Sequence, residues 1–146
     1  MRDIVLGFLE SEGIPFDEAE GILRLAFSGE NGRFTAYLRV NETTGVIVLY
    51  ALSPVSAPPA RLGAATELVA RLNFGHTLGN LELDVESGEL RFKTSLDVEG
   101  EELTEGLVAN LVYANIASLD QMLPALTACL VKGANPADAV RAIAGT

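Results

Sequence analysis

The sequence predicts an α+β fold: an antiparallel five-stranded sheet with helices in α-β-β-β-α-β-β-α order, followed by a short C-terminal helix. Apolar and polar residues alternate within residues 20–52 and 80–97, which is typical of half-buried strands. Short turns between these segments favour antiparallel pairing. In residues 103–130, apolar residues recur at every third or fourth position, as in a helix with a buried side. A length of 146 residues fits a single domain, residues 1–146.

The first third of the chain predicts one helix and three strands. Residues 3–12 form a helix that ends at Gly13, and residues 14–17 connect it to the sheet. Two alternating strands follow, joined by a turn at residues 29–32, where Asn-Gly is a strong hairpin signal. The third strand, Val46–Leu52, is apolar on both faces. It is either covered on both sides, or one of its faces contacts a partner.

Residues 80–97 predict a hairpin that turns at Ser87 and Gly88. Its predicted register pairs Asp84 with Arg91, Glu82 with Lys93, Val85 with Leu90 and Leu83 with Phe92. In this register, opposite charges meet on one face and apolar side chains meet on the other. The two patterns agree, so we expect this register to be fixed.

Further helices are predicted after each group of strands. Ser56 is placed to cap a helix over residues 57–74. A longer helix starts at a Thr104 cap and carries two neighbouring apolar stripes. Pro124 is expected to kink or break that helix one turn earlier. Asn135, followed by a proline, starts the short tail helix.

Charge and hydropathy argue against several kinds of partner. Ten bases against twenty acids give a net charge of −10 without a basic stripe, so we expect no binding to nucleic acid. No stretch approaches the roughly 20 apolar residues of a membrane span, and the N-terminus lacks a signal-peptide pattern. Cys129 is the only cysteine, so no internal disulfide forms, which suits a reducing compartment. We therefore expect a cytoplasmic protein with no membrane contact.

No recognised catalytic, metal or cofactor motif occurs in the sequence. His76 is the only histidine and follows Gly75, which ends the second helix, so we expect a loop or capping role. Cys129 is expected to be a small buried hydrophobe. The acidic residues 97–105 lack the glycine position of a calcium-binding loop. We therefore expect no cofactor, no metal and no enzyme, although catalytic residues scattered along a sequence would escape such motifs.

The stretch from Leu78 to the helix after Leu103 resembles a known family. Its landmarks are Leu78–Asp84, Ser87–Thr94 and Leu96–Gly100. These residues are similar to the YbjN family of bacterial sensory transduction regulators, whose fold is similar to that of type III secretion chaperones. The resemblance implies the α-β-β-β-α-β-β-α order over nearly the whole chain. It also implies an acidic, dimeric, non-enzymatic protein that binds extended segments of client proteins, with no catalytic residues to transfer.

Two apolar features indicate where a partner binds: the two-faced third strand and the second stripe on the long helix. The candidate residues are Ile47 and Leu49 on the strand, and Leu107, Leu111 and Met122 on the helix. Our hypothesis is a homodimeric, chaperone-like or regulatory adaptor that binds another protein. Burial of both features inside one subunit is the alternative, and it would argue against such a docking surface.

Two other classes of function are compatible with the sequence. A small-ligand sensor would have a pocket between helix and sheet with a few convergent polar groups. An enzyme would need a cleft with paired titratable residues, whereas the acids Glu82 and Asp84 are expected to pair with bases across the hairpin. The ligand sensor is therefore the main alternative to protein binding.

Overall fold

Six strands and four α-helices make up the protein in the computed structural model, which describes residues 1–145. The strands are β1 (Phe16–Ala19), β2 (Ile22–Ser28), β3 (Arg33–Asn41), β4 (Val46–Leu52), β5 (Asn80–Leu83) and β6 (Leu90–Asp97). The helices are α1 (Arg2–Ser11), α2 (Leu62–Asn73, after a 3₁₀ turn at Pro59–Arg61), α3 (Glu105–Leu130) and α4 (Pro136–Ile143). The strands form one sheet in the order β1-β2-β3-β4-β6-β5, with every neighbouring pair antiparallel. The predicted α+β class and antiparallel sheet are confirmed.

The central strand β4 shows that the sheet has one buried face. Helix α3 crosses β4 and β6 and also contacts the other three helices. On that side, Ile47, Leu49 and Ala51 are 0% exposed. The alternate residues of β4, such as Val48 and Tyr50, point away from α3 and are half-buried. Of the two apolar faces predicted for the third strand, which is β4, only one therefore lies in the core.

The expected number of strands is wrong by one, because residues 16–19 form β1 instead of a connector. β1 joins β2 through a two-residue turn at Glu20 and Gly21, whose φ angles are 53° and 79°. Positive φ at both positions is characteristic of the type I′ hairpin turn. Only Phe16 of β1 is half-buried and its other residues are exposed. The strand therefore has no apolar alternation from which it could be predicted.

The predicted hairpin at residues 80–97 forms, but its register is wrong by two residues. Glu82 lies opposite Arg91 rather than Lys93. The observed pairs are Asn80–Lys93, Leu81–Phe92, Glu82–Arg91 and Leu83–Leu90. A shift of two residues leaves every side chain on its predicted face, so the alternation of polar and apolar residues cannot distinguish the two registers.

Asp84 accounts for the shift, because it closes the turn instead of pairing with Arg91. Its carboxylate accepts hydrogen bonds from the backbone N–H of Glu86 (3.1 Å) and from Ser87 Oγ (2.9 Å). Its carbonyl accepts from the N–H of Gly88 at 2.8 Å. Aspartate commonly binds the backbone two residues ahead in this way. The turn therefore spans four residues, 85–88, rather than two.

The break predicted at Pro124 does not occur, since α3 runs without interruption from Glu105 to Leu130. A proline here lacks the N–H that would bond to the carbonyl of Asp120, four residues earlier. The side chain of Asn31, in the β2–β3 turn, supplies a donor: its Nδ2 lies 3.0 Å from the Asp120 carbonyl oxygen. A loop from the sheet therefore satisfies the carbonyl that the proline leaves unpaired.

The β2–β3 turn reaches α3 closely because it contains two glycines. The Asp120 carboxylate accepts hydrogen bonds from the backbone N–H groups of Glu30 (3.1 Å) and Asn31 (2.8 Å). A Cβ added at Gly29 would collide with this carboxylate, and one added at Gly32 would lie 2.8 Å from Leu123 Cδ2. The turn that was predicted from Asn-Gly therefore also docks the sheet on the helix.

Asn115 anchors α3 to the middle of the sheet. It is 0% exposed, and its Nδ2 donates to the carbonyls of Leu49 (3.0 Å) and Phe92 (3.1 Å) and contacts Thr94 Oγ1 at 3.1 Å. Thr94 Oγ1 donates in turn to the carbonyl of Leu111 at 2.9 Å. These bonds join one helix to two strands, so they fix where α3 lies along the sheet.

We expect Asn31→Ala to lower the free energy of unfolding by about 1 kcal/mol, because the Asp120 carbonyl loses its donor. In a Pro124→Ala background the same change should cost less, since the restored N–H of residue 124 can bond to that carbonyl. Urea denaturation of the four proteins measures this coupling. Additive effects would mean that Asn31 does not replace the bond lost at Pro124.

Candidate functional site

An apolar groove of about 440 Å³ lies between the end of β6 and the first turns of α3. Its lining includes Leu78, Thr94, Leu96, Leu107, Leu111 and Tyr113. Leu78 is 58% exposed and Tyr113 is 46% exposed. Large apolar side chains exposed beside one another mark surfaces where soluble proteins bind partners or ligands.

The groove exists because β5 is shorter than β6. β5 pairs only with Leu90–Lys93, so among the described residues no strand pairs with residues 94–97 on that side. Just before β5, the chain passes close to β6 at Gly79, where φ is +78° and an added Cβ would lie 2.7 Å from Phe92 Cε1. The groove therefore borders an unpaired stretch of strand edge.

Tyr113 forms the rim of the groove and joins it to α1. Its ring meets that of Phe8 edge to face, with centroids 5.9 Å apart. Burial of the phenol and then the negative charge of Glu12 raise the pKa of Tyr113 above its usual value. The phenol therefore stays protonated at neutral pH, and this part of the rim remains uncharged.

The groove contains two of the five predicted partner-binding residues. Leu107 is half-buried and Leu111 is 5% exposed, and both line the groove. Met122 is also 5% exposed but lies about three turns from Leu111 along α3. Ile47 and Leu49 are 0% exposed beneath α3, so the expectation that they line a docking surface is wrong. The alternation of β4 points them into the core.

Three large apolar residues of the groove were not predicted to belong to it. Leu78 lies in a loop, Leu96 continues an ordinary strand pattern, and Tyr113 lies outside both apolar stripes of α3. They become neighbours because β6 extends beyond β5. The one sequence signal for the groove is Gly79. Its positive φ ends the extended backbone there, so β5 begins at Asn80 and leaves the end of β6 unpaired.

His76 and Ser118 form a histidine–serine pair that is not arranged as an activated nucleophile. His76 Nε2 lies 3.0 Å from Ser118 Oγ, but that hydroxyl donates to the carbonyl of Ala114 at 2.6 Å. Because the serine proton is used there, His76 must be the donor in the pair. The ring of His76 also meets Phe92 edge to face. His76 thus ties the α2–β5 loop to α3.

Cys129 is fully buried near the end of α3, where Arg61 contacts it. The guanidinium of Arg61 donates to the carbonyls of Cys129 (3.0 Å) and Ala134 (2.8 Å), and its Nη2 lies 3.5 Å from Cys129 Sγ. A cation at this position satisfies carbonyls that a helix leaves unpaired at its C-terminus. Arg61 and Cys129 therefore stabilise the packing of α3 against α2.

The side of the sheet that points away from α3 is called the open face. It includes Arg24, Arg33, Tyr37, Arg39, Val48, Tyr50, Leu52, Glu82, Arg91 and Lys93. Glu82 accepts hydrogen bonds from Arg91 Nε (2.8 Å) and Lys93 Nζ (3.2 Å). Burial is the largest single influence on the pKa of Glu82 and raises it, but Lys93 and Arg91 together outweigh burial. The pKa of Glu82 therefore lies below its usual value.

The part of the chain that the structure describes contains neither a group of metal ligands nor a membrane-spanning helix. Within it, no three His, Cys, Asp or Glu side chains are grouped to hold a metal ion. In the acidic segment 97–105, the Asp97 carboxylate accepts a hydrogen bond from the N–H of Glu99 at 2.9 Å. Across residues 1–145, no helix has both the length and the apolar character needed to cross a membrane.

Sequence comparison assigns the chain to a family. The profile of the YbjN family, described as "Putative bacterial sensory transduction regulator", matches residues 1–128. The chain belongs to the YbjN family. The predicted resemblance is confirmed, and the match extends from α1 through most of α3. No curated protein matches the chain in sequence.

Solved structures share the fold at low sequence identity. "YbjN, a putative transcription regulator from E. coli" is 17% identical, with a TM-score of 0.65 over 90% of this chain and 93% of that chain. A chain of the ExsC–ExsE complex is 14% identical, with a TM-score of 0.52 over 83% of this chain and 89% of that chain. A chain of the HopA1–SchA chaperone–effector complex is 19% identical, with a TM-score of 0.48 over 81% of this chain and 88% of that chain. The first two confirm the predicted YbjN-like and secretion-chaperone-like fold.

We expect Glu82→Gln to flatten the acid side of the stability profile. A carboxyl whose pKa is lower in the folded state stabilises the fold above its ordinary pKa of about 4.3. That contribution is lost as the pH falls through the lower folded-state pKa. Urea midpoints measured from about pH 6 to pH 3 should therefore fall less steeply in the variant.

Glu102→Gln is the matched control, because it removes the same charge and Glu102 has no ion pair among the described residues. The comparison separates the Glu82 ion pairs from the effect of net charge. A Glu82→Gln profile that stays parallel to that of the wild type would contradict the prediction.

Proposed function

We propose that the protein is a non-enzymatic, chaperone-like or regulatory adaptor of the cytoplasm. In this proposal it acts as a homodimer and binds an extended apolar segment of another protein in the groove between β6 and α3. The observation that carries the proposal is the groove itself, where exposed Leu78 and Tyr113 lie beside an unpaired strand edge. Such an edge offers backbone hydrogen bonds, and the groove accepts alternate apolar side chains.

The relatives support a protein partner. The fold is shared with the ExsC–ExsE complex, which was solved as a pair of proteins, and the match covers 83% of this chain. The YbjN family is described as regulatory. Both observations agree with an adaptor that acts on another protein.

The polar groups near the groove support a non-enzymatic role. Thr94 lines the groove and contacts the buried Asn115, and the two side chains hold α3 on the sheet. The Ser118 hydroxyl donates its proton to the carbonyl of Ala114, whereas a nucleophilic serine would donate it to the histidine. Thr94, Asn115 and Ser118 are therefore engaged in structural hydrogen bonds. The other polar residues of the lining, Ser95 and Asn110, are not a pair of titratable groups such as catalysis needs.

We expect peptides selected on the immobilised protein from a random display library to carry alternate apolar residues. Leu78→Glu should weaken their binding by roughly tenfold or more, because it places a charge among the apolar contacts that the groove offers. Leu107→Ser is a second groove variant. Fluorescence anisotropy measures each Kd.

Val131→Glu is the matched control, since Val131 is 67% exposed and lies outside the groove. We expect it to leave the Kd unchanged. If the selected peptides bind Leu78→Glu and Leu107→Ser as tightly as the wild type, the groove is not the binding site.

A small-ligand sensor is the second candidate, and the size of the groove favours it. A volume of about 440 Å³ lies within the roughly 300–1,000 Å³ of ligand pockets. Ser95 and Asn110 add polar groups to the apolar lining. In a thermal-denaturation screen of apolar small molecules, a sensor would show stabilisation that rises with ligand concentration and is lost in Leu78→Glu.

We expect the purified protein to have a mass of twice 15.4 kDa in solution. Phe74, at the end of α2, is 91% exposed beside Val140 of α4 and is therefore a candidate for the dimer contact. Phe74→Ser should convert the dimer to a monomer in light scattering behind size exclusion. A monomeric wild-type protein would contradict the homodimer.

A further inference from the structure

The open face carries positive charge on an acidic protein. Five of the ten bases lie in its strands: Arg24, Arg33, Arg39, Arg91 and Lys93. Of the four acids in the strands, only Asp17, Glu82 and Asp97 point to this face, since Glu18 lies on the other one. The remaining surface is therefore more acidic than the net charge of −10 suggests, whereas the strands of the open face carry more bases than acids.

Some of these bases lack a partner. Asp17 engages Arg24, and Glu82 engages Arg91 and Lys93. No described acid lies within ion-pair distance of Arg33 or Arg39. Glu82 contacts Arg91 through Nε, which leaves the terminal N–H groups of Arg91 without a hydrogen-bond partner in residues 1–145. Arg39 and Arg91 are therefore available to bind an anion.

These two arginines lie at one shallow hollow of about 360 Å³. Tyr37 and Tyr50 are directly opposite each other on β3 and β4 and form its floor. The Arg91 guanidinium lies 4.0 Å from the centroid of the Tyr50 ring. Stacking on the ring orients the planar guanidinium, which then presents its N–H groups edge-on. Glu89 also borders the hollow, so one side of it is acidic.

We propose that the open face binds a short acidic segment of another protein, with carboxylates at Arg39 and Arg91 and an apolar side chain over Tyr37. An arginine binds a carboxylate through paired N–H donors, so acidic side chains fit these two positions. The ring of Tyr37, which is 36% exposed, favours an apolar residue between them. The proposal rests on the proposed protein-binding function, but it uses a surface separate from the groove at α3.

The borders of the open face favour a short acidic peptide over nucleic acid. The four strands β2, β3, β4 and β6 span roughly 14 Å from the first to the last, at the usual strand spacing. Beyond them lie exposed acids, Asp17 and Glu20 on one side and Asp84 and Glu86 on the other. A phosphate backbone carries charge at every nucleotide and would run onto these acids. A short peptide can end before it reaches them.

The test uses a short dye-labelled peptide of alternating glutamate and leucine, measured by fluorescence anisotropy. The comparators are the same peptide with lysine in place of glutamate and a short oligothymidylate. We expect the acidic peptide to bind most tightly and its affinity to fall with salt. Arg39→Glu and the milder Arg39→Gln should each weaken binding, Arg39→Glu by roughly tenfold or more.

Arg141→Glu is the charge-matched control, since Arg141 is an exposed base on α4, and it should bind nearly as the wild type does. Leu78→Glu should also bind normally, which separates this surface from the groove. Equal loss in Arg39→Glu and Arg141→Glu, or tighter binding of oligothymidylate, would overturn the proposal. So would no binding of the acidic peptide, or a loss seen only in Leu78→Glu. Loss of self-association in Arg39→Glu would assign the open face to a second copy of this chain instead.

Discussion

The buried amide of Asn115 constrains the rest of the structure, because it fixes one long helix on two strands at once. Its Nδ2 donates to the carbonyls of Leu49 on β4 and Phe92 on β6. An aliphatic residue at this position could slide along an apolar sheet, whereas a buried donor loses its bonds if the helix moves by one residue. Within residues 1–145, its Oδ1 has no hydrogen-bond partner. That cost is consistent with a side chain retained for positional specificity rather than for stability.

The two ends of α3 follow from this anchor. Toward its N-terminus, Leu111 and Leu107 come to lie beside the end of β6, where β5 has already stopped, and the groove results. Toward its C-terminus, Asp120 reaches the β2–β3 turn, which binds its carboxylate and its free carbonyl. The same helix is therefore held tightly to the sheet at one end and leaves apolar surface accessible at the other. A binding surface on a firmly held helix loses little conformational entropy when a partner docks.

The sequence predicted most elements of this fold but few details of its sites. Periodicity located α1, β2–β6, α2 and α3, since each has a regular apolar face. It missed β1, which buries almost nothing, and it could not tell two hairpin registers that place the same residues on the same faces. The contact of Asn31 with the Asp120 carbonyl at Pro124 could not be predicted, because the residues that it joins are far apart in sequence. For the groove, the second apolar stripe on α3 correctly indicated Leu107 and Leu111. The groove itself could not be predicted, because it depends on where β5 stops pairing with β6, and the pattern of neither strand alone shows that point.

The two apolar faces of β4 are compatible with a sheet that helices cover on one side only. On the open face, Val48 lies opposite Arg39, and Leu52 lies opposite Arg91. Arginine side chains lay their aliphatic stems along apolar surface while the charged end stays in water, so they shield these residues without another layer of protein. Arg91 does the same over Tyr50. The bases that shield β4 are also the groups that would meet an acidic partner, because a carboxylate can bind the guanidinium ends while the stems remain over the apolar strand. In the proposed binding mode, shielding and recognition use the same side chains, which would account for the concentration of bases on one face of an acidic protein.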